Sequence, residues 1–206
     1  MGGVAALVAS TLAISNAAEA IMFSSTTSTR NIPDFDATGV SATITVAGQG
    51  NITSFDSVTI SGFTHTYYGD LRAFLSNSTT TVQLIGSFVV DRVRFNKEEF
   101  DLNGNYTFAN TGASWSSQTT SPVPSATTYA SLQPLSAFNG QSLNGNWTLN
   151  VQDRGNGDIG SFTQFSFNVT EPTAVPFEFE GTGGMMVVGG VWLLRRHLKK
   201  KKETKV

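Results

Sequence analysis

The chain has 206 residues, no cysteine and a low share of charged residues, 14%. The missing cysteines exclude structural disulfides and thiolate metal sites. Residues 21–180 hold six basic and thirteen acidic residues, a net charge of −7, which argues against a nucleic-acid partner. Seven of the thirteen Lys and Arg lie instead between Arg195 and Lys205, at the C-terminal end.

Residues 1–20 have the composition of a secretory signal peptide. A small apolar run extends from Met1 to Ile14, and Ala18-Glu-Ala20 then supplies an A-x-A cleavage pattern. The alternative interpretation is a short buried helix. Residues 21–30 are rich in Ser and Thr and carry no periodicity, so they are predicted to form a flexible linker.

Short strands are predicted throughout residues 31–171. Apolar and polar residues alternate in several segments, which places one face of each strand in a core and the other in water. The clearest are Ser41–Val46, Ser57–Ile60, Asn146–Val151 and Gln164–Val169. Tight turns are predicted at Gly48–Gly50, Asn103-Gly104, Asn139-Gly140, Asn144-Gly145 and Gly155–Gly157. This spacing predicts an all-β sandwich, and no segment of the body predicts a helix.

Two features of the body concern aromatic residues. Ser114–Pro134 is rich in Ser, Thr and Pro, so it is predicted to be a long surface loop or insert that Trp115 anchors to the sandwich. Tyr67 and Tyr68 are adjacent, and one of the two rings is expected to face solvent.

Three linked motifs in the body resemble a known family. They are His65-Thr-Tyr-Tyr-Gly-Asp-Leu71, then Leu135-Ser-Ala-Phe-Asn-Gly140, and then Gly145-Asn-Trp-Thr-Leu-Asn-Val-Gln-Asp153 followed by Asp158-Ile-Gly160. In this order they resemble the P domain (P/Homo B domain) of the proprotein convertase and subtilisin-like protease group. The resemblance covers about residues 32–169, and residues 31–171 are therefore assigned to it. Phe162 stands where that family usually has leucine, and Tyr68 where a basic residue is common.

The resemblance implies a jelly-roll β-sandwich, similar to galactose-binding domains, of about eight strands. It also implies a place beside a subtilisin-like catalytic domain, whose folding and stability a P domain supports. Calcium binding is a further implication of the resemblance.

His65 is the residue that a protease interpretation would need. A serine protease combines a nucleophile with a histidine base and an orienting carboxylate. Asp34, Asp36 and Asp56 precede His65 and serines follow it, so the order of residues alone would permit this. However, the chain has no Gly-x-Ser-x-Gly elbow, and His65 falls inside the P-domain motif. The favoured interpretation is that His65 and Asp70 hydrogen-bond to hold a loop between strands, so no catalytic residue is predicted.

Five loop residues are candidate ligands for a structural calcium ion, which prefers six to eight oxygen ligands. They are Asp70, Asp101, Asp153, Asn156 and Asp158. Their spacing does not match an EF-hand. The alternative is a Gly/Asn-rich turn whose carboxylates accept hydrogen bonds from backbone amides. No other cofactor is predicted.

Residues 172–206 have the order of a membrane-sorting signal. Pro176-Phe-Glu-Phe179 precedes the apolar stretch Gly181–Leu194, and the basic cluster Arg195–Lys202 follows. The stretch is shorter than the roughly 20 residues that span a bilayer, and the basic cluster favours the cytoplasmic side. This order resembles the PEP-CTERM class of sorting signals in a Pro-Phe-Glu-Phe variant, which implies an exosortase-type enzyme as a partner. The alternative is a plain single-pass anchor.

The sequence therefore predicts a non-catalytic protein that is exported to the cell envelope or the extracellular space and is at least transiently membrane anchored. The first interpretation is that the protein is a binding or structural module at the cell surface. The alternatives are an accessory domain that partners a subtilisin-like protease, and a jelly roll that binds extracellular polysaccharide.

Overall fold

The computed structural model describes residues 18–86 and 100–172, all of which lie in a compact unit spanning Met1–Thr173. A second compact unit, Ala174–Val206, contains most of the predicted sorting signal and lies outside the described residues, as do residues 1–17 of the predicted signal peptide. In the described ranges, no helix has both the length and the apolar character that a membrane crossing requires.

The described residues form eleven strands and three short 3-10 helices. The strands are β1 (Ala18–Ser24), β2 (Arg30–Ile32), β3 (Val40–Val46), β4 (Ser54–His65), β5 (Leu71–Ser76), β6 (Thr81–Ile85), β7 (Leu102–Ala109), β8 (Thr128–Ala130), β9 (Gly145–Asp153), β10 (Gly160–Phe162) and β11 (Gln164–Pro172). The 3-10 helices are Tyr68–Asp70, Trp115–Ser117 and Leu135–Phe138.

These strands build two sheets that face each other. The large sheet has seven strands arranged around the long strand β4. Strand β7 pairs with one side of β4, while β11 and β10 pair with successive parts of its other side. Strand β1 continues the sheet beyond β11, β2 continues it beyond β10, and β8 pairs parallel to β7. The small sheet has the antiparallel order β3-β9-β5-β6. The predicted all-β, jelly-roll-like sandwich is confirmed.

The alternation seen in the sequence sets which side chains enter the core. In β3, for example, Ala42, Ile44 and Val46 are buried while the residues between them are exposed. Where the two sheets meet, four aromatic rings lie with adjacent centroids 5.0 to 5.5 Å apart. They are Phe55 and Phe167 from the large sheet, Trp147 from the small sheet, and Phe138 from a 3-10 helix. Burial of such large rings supplies stability that a chain without cysteine cannot take from disulfides.

A second aromatic cluster fixes the segment 114–134. The Trp115 ring is 5% exposed and lies 5.0 to 5.8 Å from the ring centroids of Tyr68, Tyr106, Phe108 and Tyr129. The Tyr106 hydroxyl donates to the Val123 carbonyl (2.8 Å) in the same segment. The predicted anchoring role of Trp115 is confirmed, and the segment also contributes strand β8, which the sequence did not indicate.

Three local predictions were wrong. Residues 21–24, assigned to a flexible linker, belong to β1, because β11 offers them a partner strand from Ile21↔Val169 to Ser24↔Ser166. Asn103-Gly104 was expected in a turn but lies inside β7, opposite an irregularity in the register of β4. At that irregularity Gly62 has a positive φ of 58° and donates its N–H to the Asn105 side chain. Glycine at such a bulge permits a conformation that other residues adopt at a cost.

Both tyrosines of the Tyr67-Tyr68 pair are buried, 2% and 3% exposed, so the expected solvent-facing ring is absent here. The 3-10 helix Tyr68–Asp70 begins immediately after Tyr67, and all three of its residues are buried. Burial raises the pKa of the Tyr68 phenol above its ordinary value.

Candidate functional site

The chemistry-bearing residues of the family motifs meet at one end of the sandwich, around the β9–β10 loop (residues 154–159). His65 is the last residue of β4, and its backbone pairs with Gly160 of β10. Its buried side chain reaches across to the other sheet, where Nε2 lies 3.1 Å from Oδ2 of Asp153, the last residue of β9. This contact, called the His65–Asp153 clamp below, therefore links the end of the large sheet to the end of the small sheet.

The remaining polar atoms of the clamp are also engaged. Nδ1 of His65 lies 2.7 Å from the Tyr67 carbonyl oxygen and 3.1 Å from the Tyr67 nitrogen, so the Tyr67 backbone holds the ring orientation. Oδ1 of Asp153 accepts the Gly155 N–H (2.9 Å). Because a buried charge without partners is costly, these contacts make burial of the pair tolerable.

Asp70 contacts the same loop but does not pair with His65, so the predicted hydrogen bond between His65 and Asp70 was wrong. The Asp70 carbonyl accepts the Arg154 N–H (2.8 Å), and the Asp70 carboxylate lies directly against the Cα of Gly155. His65 pairs with Asp153 because it lies at the end of β4, close to the end of β9, whereas Asp70 belongs to the 3-10 helix that contacts the loop. A Cβ on Gly155 would overlap the Asp70 carboxylate, so this position requires glycine.

Two further carboxylates fix the far side of the β9–β10 loop. Oδ1 of Asp158 accepts the Thr66 hydroxyl (2.9 Å), and the same hydroxyl oxygen accepts the Ile159 N–H (3.0 Å). Asp34 accepts the Gly157 N–H at 3.0 and 3.2 Å from its two oxygens. The loop is thus held by side chains from three different segments, and its carboxylates act as acceptors for backbone amides and a hydroxyl.

His65 does not have the surroundings of a catalytic base. It is the one histidine within residues 18–86 and 100–172, its side chain has 0% exposure, and both of its ring nitrogens have partners. A serine-protease histidine needs one ring nitrogen directed at a nucleophilic hydroxyl and open to substrate. The geometry in the described ranges provides a structural role for His65 instead.

The five predicted calcium ligands do not converge. Within the described residues, no three His, Asp or Glu side chains are grouped so that they could hold a metal ion. Asp153 is committed to the clamp, Asp70 lies beneath Gly155, and Asp158 binds Thr66, while Asn156 is exposed in the loop and Asp101 is exposed just before β7. Calcium binding by these residues stays a prediction.

The sequence missed a cleft of about 720 Å³ on the outer face of the large sheet, which we call the outer cleft. Its floor is a row of polar side chains on four neighbouring strands, in the order Asn31, Ser161, Thr64 and Asn103. Asp101 and Ile159 also line it. The four floor residues come from strands that are distant in sequence, so the sequence could not place them side by side.

The fold and the clamp define a class of structure, a jelly-roll-like sandwich whose histidine, the one in the described residues, is locked between the two sheets. This arrangement differs from that of the histidine in a Ser-His-Asp hydrolase. The proprotein convertase P-domain family matches residues 56–169, more than half of the sequence, and the chain belongs to this family. P domains are non-catalytic accessory domains of subtilisin-like proteases, and the matched range contains all three motifs that carried the resemblance.

Among solved structures, the complex of the Aeromonas sobria serine protease with its chaperone is similar, with 16% identity and a TM-score of 0.44. The match covers 76% of this chain and 28% of that one. No curated protein matches the sequence.

The clamp generates the first prediction. We expect His65→Ala and Asp153→Ala each to lower the free energy of unfolding by about 3–5 kcal/mol, because each leaves a buried polar partner unpaired. The double variant should lose less than the sum, with a coupling of about 1–3 kcal/mol in a denaturant-unfolding cycle. Asp36→Ala is the control, because this carboxylate is at the surface and accepts hydrogen bonds from Thr38 and Gly39 in its own segment. The hydrogen bond from the Thr38 N–H lowers the pKa of Asp36, and a much smaller loss of stability is expected. Additive single losses would show that the two side chains do not act together.

The contact between Gly155 and Asp70 generates the second prediction. Gly155→Ala should lower the melting temperature clearly, because the added Cβ must displace a buried carboxylate. Gly50→Ala is the matched control, since the nearest atom to its added Cβ is Glu171 Oε2 at 3.9 Å, an ordinary contact. Thermal unfolding followed by circular dichroism measures both. Equal melting temperatures for the two variants would refute the close approach at Gly155.

Proposed function

We propose that this chain is an exported, non-catalytic P-domain module that acts by binding at the cell envelope. The observation that carries the proposal is the His65–Asp153 clamp. The clamp uses the histidine of the described ranges as a structural link between sheets, which leaves it no free ring nitrogen for proton transfer. The family supports the same role, because P domains are accessory domains.

The proposal includes the two terminal segments, which rest on sequence alone. Residues 1–20 act as the export signal, and residues 172–206 hold the body at the outer side of the membrane, where an exosortase-type enzyme processes the tail. The acidic body is compatible with an extracellular surface, and the basic cluster Arg195–Lys202 is compatible with retention at the cytoplasmic side.

The second candidate makes the chain a stabilising partner of a subtilisin-like protease domain. Membership of the P-domain family favours this candidate. Such a module would stabilise the protease by binding its folded form and not its unfolded form. In this case proteolysis belongs to the partner, and the module contributes no reacting group.

One experiment tests both candidates. The full chain is mixed with a subtilisin-like catalytic domain from which its own P domain has been removed, and thermal unfolding and hydrolysis of a general peptide substrate are followed. The full chain alone should show no hydrolysis. If it partners the protease, the melting temperature of the protease domain should rise by roughly 2–4 °C when the module is present at about ten times its dissociation constant.

The controls separate the two candidates. An unchanged protease melting temperature removes the protease partnership and leaves the non-catalytic binding role. Hydrolysis by the full chain alone that disappears in His65→Ala, with the variant still folded by circular dichroism, would refute the non-catalytic role itself.

A further inference from the structure

The outer cleft combines a defined shape with an unusual row of side chains. Strands β2, β10, β4 and β7 are neighbours at this end of the large sheet, and their register places Asn31 opposite Ser161, Ser161 opposite Thr64, and Thr64 opposite Asn103. Adjacent strands lie about 4.8 Å apart, so the row extends about 14 Å across the sheet. The volume of about 720 Å³ is within the range of small-ligand sites.

The polar groups of this row are available to a ligand. Asn31 and Asn103 are exposed, and neither side-chain amide has a hydrogen bond within the part of the chain that the structure describes. Between them, the hydroxyls of Thr64 and Ser161 lie 3.1 Å apart and keep further donor and acceptor capacity. Amides and hydroxyls both donate and accept, which matches ligands that carry many hydroxyl groups.

The rim adds one carboxylate and one apolar side chain. Asp101 is exposed, and its backbone is fixed on both sides, since its N–H donates to Ser121 Oγ (3.1 Å) and its carbonyl accepts the Val123 N–H (2.9 Å). Ile159 also lines the cleft and is 71% exposed. None of the described residues that line the cleft is Lys or Arg, so these residues offer no cationic side chain to a phosphate, sulfate or uronate group.

We propose that the outer cleft binds a segment of an uncharged polysaccharide. The amides and hydroxyls of the floor would exchange hydrogen bonds with sugar hydroxyls, Asp101 would accept from two of them, and Ile159 would cover a C–H face of a ring. An extended peptide is less suited, because the floor strands β10 and β4 already use their backbone groups within the sheet, and peptides are commonly bound through a free sheet edge or an apolar groove. The proposal rests on the binding role proposed above and assigns it a ligand class and a site.

The experiment is affinity gel electrophoresis of the full chain in gels that contain one polymer each. The uncharged polymers are hydroxyethyl cellulose, galactomannan and dextran, and the comparison polymers are alginate, which is anionic, and unfolded casein. At least one uncharged polysaccharide should retard the protein. Asn31→Ala/Asn103→Ala should weaken that retardation about tenfold or more, the effect of losing two hydrogen bonds.

The matched control is Thr43→Ala/Thr148→Ala. These two hydroxyls lie 3.1 Å apart on the outer face of the small sheet and repeat the Thr64–Ser161 pair away from the cleft. This control should be retarded like the unchanged protein, and melting temperatures establish that both variants are folded. If the cleft variant unfolds, Asp101→Asn in the same gels takes its place, because that carboxylate is exposed and outside the sheet.

Three results would overturn the proposal. They are no retardation by any of the three uncharged polymers, equal retardation of the cleft and control variants, and cleft-dependent retardation by alginate or casein alone. None of these results affects the peptide-hydrolysis assay that tests the non-catalytic role. A failure of polysaccharide binding at the cleft can therefore be distinguished from a failure of the proposed function.

Discussion

The His65–Asp153 clamp is the contact on which the arrangement of this end of the sandwich depends. Its two residues are 88 positions apart and end strands of different sheets, so the contact exists only when both sheets have formed and faced each other. Because the ring nitrogens and the carboxylate oxygens are all engaged, the clamp also fixes the start of the β9–β10 loop. Removal of either side chain would leave a buried polar group without its partner, which is among the more costly changes in a small domain.

The clamp also shows that a domain of the P-domain family can use a histidine and an aspartate as a structural pair. The same two residue types make a catalytic pair when the histidine faces a hydroxyl and substrate. Here the Tyr67 backbone occupies the second ring nitrogen, and the surrounding side chains exclude solvent. Asp34 and Asp158 accept hydrogen bonds from an amide and a hydroxyl, so they hold the loop in place. The open polar surface is the adjoining outer cleft.

Much of the fold could be predicted from the sequence, because alternation is a local property. The strands around Ala42–Val46, Trp147–Val151 and Phe165–Val169 follow directly from which residues are apolar. Strand β1 could not be predicted, since a Ser/Thr-rich run begins at its last residue, Ser24, and the strand is ordered by pairing with β11. Asn103-Gly104 is compatible with a turn or a bulge, and only the register with β4 decides between them.

The sequence identified residues of the site but not the contacts between them. The motifs identified His65, Asp70 and Asp153 as important, yet the sequence does not show that β4 and β9 end at the same place, and it therefore paired His65 with the nearer aspartate. The outer cleft could not be found at all, because its floor comes from four strands that are distant in sequence and adjacent only by register. Among its lining residues, Asp101 was singled out beforehand as a calcium ligand, His65 as a motif residue and Asn103 as a turn residue, but none as part of a cleft.

Amide hydrogen exchange of the β9–β10 loop tests the central claim most directly. If the clamp holds the loop, the Gly155 amide, which donates to Asp153, should exchange slowly in the unchanged protein and much faster in His65→Gln, while amides in the middle of β4 keep their protection. Rapid exchange of Gly155 in the unchanged protein, or equal protection in the folded variant, would contradict a clamp that links the two sheets and orders this loop.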